Sequence, residues 1–226
     1  MTPLYLDPLI QISRQVANNA YAVDMVRYMK NQFPFLGLNA PSRNIIFKKH
    51  IAKYGLPDRN DLRSDVEYLW KLPEREFQYF AQSFLVEFKK HYQEKDIQWF
   101  EKLVTTKSWW DTADGIAVWV MGNYFIKYPG NTTSVTCKWM DSGNIWLQRT
   151  SLLFQLRYKE KTNESLLYDY ICELSGSKEF FIQKAIGWAL REYSKTYPER
   201  VKNFVNSHIL APLSKREALK VVNKKG

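Results

Sequence analysis

With 226 residues, 26.8 kDa and 45% hydrophobic content, the chain can bury a substantial core, which sets disorder aside as the default reading. Its formal charge of +10 and pI near 9.4 favour polyanionic partners, nucleic acid before an anionic membrane. Residues 177–226 alone carry eleven basic and four acidic groups, so the positive field is concentrated at that end.

Two cysteines, Cys137 and Cys172, are too few for a disulfide framework, and His50, His91 and His208 show no metal-ligand spacing. Reduced thiols, no metal and no cofactor are expected. The opening MTPLYLDPLIQIS lacks a basic n-region and a small-residue cleavage site, and no apolar run approaches the length of a membrane span. A cytosolic protein with no membrane partner is expected.

In chain order the pattern is helical almost throughout. Leu6–Ala17 and Ala20–Lys30 read as a first helix pair, followed by the Pro- and Gly-punctuated loop NQFPFLGLNAP and a helix from about Ser42 to Lys53. Pro57 and Asp58 open another, to about Leu72. Pro73 then introduces an amphipathic run in which Phe77, Phe80, Phe84 and Phe88 recur at three and four. Lys95–Val104 is a short helix, and the stretch TKSWWDTADGI continues helical to about Tyr128. After a turn at Pro129–Thr133 come helices over Ser134–Met140, Asn144–Lys161, Glu164–Leu174, Ser177–Thr196, Glu199–Asn206 and Ser214–Asn223. No strand pairing or Asn-Gly hairpin signal is present.

So many short helices joined by tight turns predict stacked helix pairs. Three segments align without gaps: WWDTADGIAV from Trp109, NIWLQRTSLL from Asn144 and EFFIQKAIGW from Glu179, each 35 residues after the last. In that register Asp114, Arg149 and Lys184 share one repeat position. Stacked as an α-solenoid, they would form a charged row on the concave face.

TKSWWDTADGI sets Trp109, Trp110, Asp111 and Asp114 within six residues. Asp111 stands at the expected helix start, where it could cap or meet the helix dipole. Asp114 is one turn further in and shares a face with Trp110. Carboxylates are almost never fully buried unless paired, so Asp114 is the candidate for chemistry and Trp109 a packing or orienting residue. Arg149 has two open readings: a structural ion pair with Asp114, or a hold on a phosphate beside a reacting sugar. Lys184, Trp188, Arg191 and Lys195 share another helical face, fit to meet phosphates with its cations and a base or sugar with its ring; a solvated face with one half-buried indole is the plainer alternative.

The segments YMKNQFPFLGLNAPSR, LPEREFQ, TKSWWDTAD, NIWLQRT, SKEFFIQKAIGWALREYSKT and APLSKREALK resemble the bacterial AlkD-type DNA alkylation repair enzymes, the HEAT-like-repeat DNA glycosylases, from about Tyr28 to Lys220. The resemblance implies one all-α domain over 1–226, a C-shaped solenoid of HEAT-like helical pairs holding duplex DNA on a basic concave surface. It implies a lesion-contacting Trp110, a catalytic Asp114, a DNA-contacting Arg149, a second tryptophan at Trp188 and a tyrosine at Tyr28. The activity it implies is excision of positively charged N3- and N7-alkylated purines without drawing the base into a pocket. Lys184, Arg191 and Lys195 are expected to hold the DNA backbone. The protein is expected to work as a monomer in the bacterial cytoplasm on double-stranded DNA carrying alkylated purines. The competing reading is a catalytically inactive helical-repeat scaffold that binds DNA or RNA structures.

Overall fold

The computed structural model describes residues 3–222; the last helix, expected to run to Asn223, which lies outside them, ends at Ala218. Within them every regular element is helical, and no helix is long and apolar enough to cross a membrane. The chain divides into two compact units that meet in sequence at Tyr92 and Gln93.

The first unit contains α1 (Asp7–Gln15), α2 (Asn19–Tyr28), α3 (Ala40–Tyr54), α4 (Arg59–Lys71) and α5 (Arg75–Glu87). Asn18 and Asn39 cap α2 and α3 by accepting from the Tyr21 and Ser42 amides, which satisfies N–H groups that have no partner within the helix. The phenylalanines spaced at three and four along α5 and at its C-cap all turn inward: Phe77, Phe80, Phe84 and Phe88 are buried with Leu9, Val66 and Leu69. The loop between α2 and α3 is held from below by Glu76. Fully buried, its carboxylate accepts from the amides of Leu36, Gly37 and Leu38 at 3.0, 2.9 and 3.0 Å. Gly37 has φ +82°, and a Cβ there would lie 2.0 Å from the Asn18 carbonyl oxygen, so only glycine lets the loop pass.

The second unit is a succession of helix pairs. The first members are α6 (Ile97–Thr105), α9 (Thr132–Asp141), α11 (Glu164–Leu174) and α13 (Pro198–Ser207). The second members are the continuous helix α7 (Trp110–Gly115) to α8 (Gly122–Lys127), then α10 (Ile145–Leu153), α12 (Phe180–Tyr193) and α14 (Pro212–Ala218). Successive second members begin at Trp110, Ile145 and Phe180, so the 35-residue period is real, and α10 packs against α7 on one side and α12 on the other. Between α7 and α8 the helix widens into a π turn, Ile116–Met121, which accommodates an extra residue while Ile116, Ala117, Val120 and Met121 stay buried.

One element differs from expectation. The helix read over Asn144–Lys161 ends at Leu153, and a short 3-10 turn covers Lys159–Lys161. Two side-chain contacts explain the break. The Gln155 amide donates to the Asn163 carbonyl and accepts from the Asn163 amide, substituting for helical partners, and Lys159 takes φ +53°. Phe154 then packs on Phe125 at 4.9 Å, and the Tyr158 hydroxyl donates to the Gly122 carbonyl at 2.6 Å. Apolar spacing continues past Leu153, but its contacts are with the preceding repeat.

Candidate functional site

The site grows from the way α7, α10 and α12 meet. Extended backbone at Trp109 (φ −156°) ends the loop from α6 and starts α7, placing Asp111 in the first turn and Asp114 one turn on. Asn144 caps α10 by accepting from the Trp146 and Leu147 amides, which fixes the helix start and so the rotation that turns Trp146 and Arg149 to its neighbours.

Arg149 and Asp114 form a bidentate pair: Nε donates to Oδ1 at 2.6 Å and Nη2 to Oδ2 at 2.8 Å. The remaining guanidinium arm, Nη1, donates to the Phe181 carbonyl at the start of α12. The three second-member helices are thus tied through one planar group. Side-chain exposure is 6% for Arg149 and 14% for Asp114, so the arginine is sealed while the aspartate keeps a little contact with solvent. Each carboxylate oxygen has two lone-pair sites, so both can accept from Arg149 and still receive another donor. Burial pushes the Asp114 carboxyl above its ordinary value; the hydrogen bonds and charge of Arg149 oppose that shift, and Asp111 adds slightly to it.

Beside this pair lies an aromatic cluster that the sequence motifs did not single out. Phe181 meets Trp109 at 5.0 Å edge-on and Trp146 at 5.1 Å, and the two indoles are 5.9 Å apart. The Trp109 Nε1 is buried with no hydrogen-bond partner. A signal for it was present: Trp146 and Phe181 are 35 residues apart, each three before Arg149 or Lys184 in the register. Trp109 thus packs against the aromatics of α10 and α12.

The other expected site residues fall as follows. Trp110 is half-buried on the Asp114 face of α7, and Trp188 is half-buried on α12, two turns after Phe181 and on the same side. Tyr28, at the end of α2 in the first unit, is 69% exposed. Lys195 is exposed and pairs with Glu192 one turn earlier at 2.6 Å. Lys184 and Arg191 do not stand free: both reach Glu217 of α14, at 3.1 and 2.7 Å, as does Lys220 at 2.8 Å. Glu217 lies 33 residues after Lys184, outside the 35-residue period, which is why the spacing did not announce it. Cys137 and Cys172 are exposed free thiols, and among the described residues no three potential metal ligands gather.

Stacked helix pairs, with an aspartate clamped by arginine beside a tryptophan cluster, define an all-helical repeat protein. The sequence matches the family model described as DNA alkylation repair enzyme over residues 11–222, and the chain belongs to that family. A solved structure described as a predicted DNA alkylation repair enzyme from Enterococcus faecalis is 33% identical, with TM-score 0.85 over 92% of this chain and 97% of that one. AlkD2 from Streptococcus mutans, at 16% identity, shares the fold with TM-score 0.60 over 77% of this chain and 87% of its own. Comparison with curated proteins gave no match.

Proposed function

We propose that the protein is a monofunctional DNA glycosylase that hydrolyses the N-glycosidic bond of positively charged N3- and N7-alkylated purines in duplex DNA. The observation that carries this reading is the Asp114 carboxylate: held by Arg149, mostly buried, with the side chain still 14% exposed and four residues after Trp110 on the same helix. Membership of the DNA alkylation repair enzyme family supports it.

The chemistry suits one carboxylate. An N3- or N7-alkylpurine is already cationic, so when the C1′–N bond breaks its electron pair neutralises the departing base, and no general acid is needed. Ordinary glycosidases need two carboxyl groups for this reason, and here one suffices. The sugar left behind is oxocarbenium-like. Asp114 stabilises that charge electrostatically and accepts a hydrogen bond from the water that attacks C1′; as the C1′–O bond forms, that proton passes through Asp114 to solvent and the water's other proton stays on the new hemiacetal hydroxyl. Trp110 and Trp188 offer π faces to the cationic base or sugar. Arg149 acts through Asp114, fixing the plane of the carboxylate and keeping it ionised. Tyr28 and Lys195 are both exposed, and Lys195 would exchange its Glu192 partner for a backbone phosphate.

Asp114→Asn keeps the shape of the side chain and removes its charge. Duplex affinity is expected to persist while single-turnover release of 7-methylguanine falls by at least about tenfold, equivalent to ~1.4 kcal/mol of lost transition-state stabilisation. An unchanged rate refutes the assignment. The second reading, a DNA- or RNA-binding scaffold without catalysis, draws on the same ion pair as a purely structural tie between α7 and α10. Binding of alkylated duplex without release of free base by the native protein would select it.

A further inference from the structure

Glu217 is the feature that the proposed chemistry leaves unused. It is a carboxylate with only 6% side-chain exposure, and three cations converge on it. Oε1 accepts from Lys184 at 3.1 Å and from Lys220 at 2.8 Å; Oε2 accepts from Arg191 at 2.7 Å. The bond from Lys220 first, and then the bond and charge of Lys184, hold its carboxyl down to about 2 against the opposing effect of burial, so it is charged at neutral pH. The seat is built on both helices. A Cβ at Gly187 would lie 2.5 Å from the Glu217 Cβ and 3.0 Å from the Ser214 carbonyl oxygen, so glycine is what allows α14 to lie directly on α12. The Ser214 hydroxyl locks the same contact by donating to the Gln183 carbonyl at 2.9 Å.

Lys220, two residues past the end of α14, already neutralises this carboxylate from one side, at Oε1. The recruitment of Lys184 and Arg191 from α12 spends the cations nearest Trp188 on an internal anion. A buried pair of this kind adds little to stability over an apolar packing residue, so fold maintenance does not account for it. It has a clear effect on binding, because a phosphate approaching Lys184 or Arg191 must compete with a carboxylate already at hydrogen-bond distance.

We infer that Glu217 is a brake on duplex affinity: it withholds Lys184 and Arg191 from DNA phosphates, so that the protein releases undamaged DNA and product. The inference rests on the proposed action on duplex DNA and would make α14 a determinant of turnover rather than of chemistry.

The test uses the full chain and an undamaged DNA duplex followed by fluorescence anisotropy from 50 to 200 mM salt. Glu217→Gln preserves volume and removes the negative charge. It is expected to bind more tightly at 50 mM salt, with a salt slope steeper by about 0.9 for each phosphate newly met, so that its advantage shrinks three- to fourfold per phosphate over that range, by rough arithmetic on counterion release. Single-turnover excision of 7-methylguanine should be unchanged while multiple-turnover excision slows. Adding Lys184→Gln and Arg191→Gln to that variant should abolish the gain. An unchanged slope at native Tm, or a gain that survives the triple substitution, overturns the inference and leaves the glycosylase reading intact. A steeper slope in a protein that excises nothing upholds the brake and refutes the glycosylase. Should Glu217→Gln melt early, Lys184→Gln in the native background decides: the brake predicts less than about a twofold loss of affinity, and a slope shallower by about 0.9 shows Lys184 already on a phosphate and overturns it.

Discussion

Replacing Arg149 by glutamine tests the central tie most directly. The glutamine side chain is too short, and carries no charge, to restore two charge-assisted hydrogen bonds to Asp114 or the bond to the Phe181 carbonyl. Removing one partner of a buried ion pair costs about 3–5 kcal/mol, because the other charge is left desolvated. For a chain of this size that corresponds to a fall in Tm of about 10 °C. The cost depends on pH, and the sign can be worked out. Burial already raises Asp114, and Arg149 is the main opposing influence. Without it the folded-state pKa rises further above the unfolded value. The carboxyl then takes up a proton in the folded state, so stability is retained below the ordinary carboxylate range and lost as pH rises through the raised value, by up to ~1.4 kcal/mol per pH unit. Thermal melts of native protein and Arg149→Gln at pH 5 and pH 8 should show the larger gap at pH 8. The acid limb of the excision rate should move to higher pH in the variant, since chemistry needs Asp114 ionised. A Tm within 2 °C of native at pH 8, or a gap independent of pH, refutes the reasoning.

Asp65, buried on α4 with Oδ2 unpartnered, is raised to about 6 by burial and by the charge of Asp61. Its raised pKa means that stability is complete below the ordinary carboxylate value and is lost as pH climbs through 6. Asp65→Asn should therefore stabilise the first unit by about 1–2 kcal/mol at pH 8 and by little at pH 4, read from denaturant midpoints; equal effects at the two pH values contradict this. Gly187→Ala should cost about 1–3 kcal/mol by overpacking α12 against α14, and it should raise duplex affinity as the Glu217 contacts loosen. A variant with native Tm and native affinity would show that the two helices are not held at that distance.

The sequence made the repeat visible because stacking repeats a packing requirement. Asp114 and Arg149 are one period apart and touch, and Trp146 and Phe181 obey the same spacing. Where one contact replaces another of the same periodicity, the pattern could not distinguish them. Leu153 onward keeps a helical spacing, yet Phe154 and Tyr158 serve the neighbouring repeat and Gln155 closes a turn. Face-sharing at Lys184, Trp188 and Arg191 was legible, but spacing along one helix says nothing about what covers that face. The answer came from Glu217 on a helix whose offset departs from the period. Arg149 shows the same limit: residue type suited an ion pair and a phosphate contact equally, and only three-dimensional placement settled where its donors point.

The π turn at Ile116–Met121 holds one more residue than an α turn would, and the extra residue is absorbed where the helix widens. In a regular α-helix each residue turns the chain by roughly 100°, so a change of length there would swing Trp110 and Asp114 away from Arg149 while Tyr124 and Phe125 stay anchored in the core. The wide turn is the place in this long helix where a single-codon deletion can be absorbed: it would close to ordinary α geometry with Trp110 and Asp114 still in phase with Tyr124 and Phe125, and the carboxylate still aimed at Arg149.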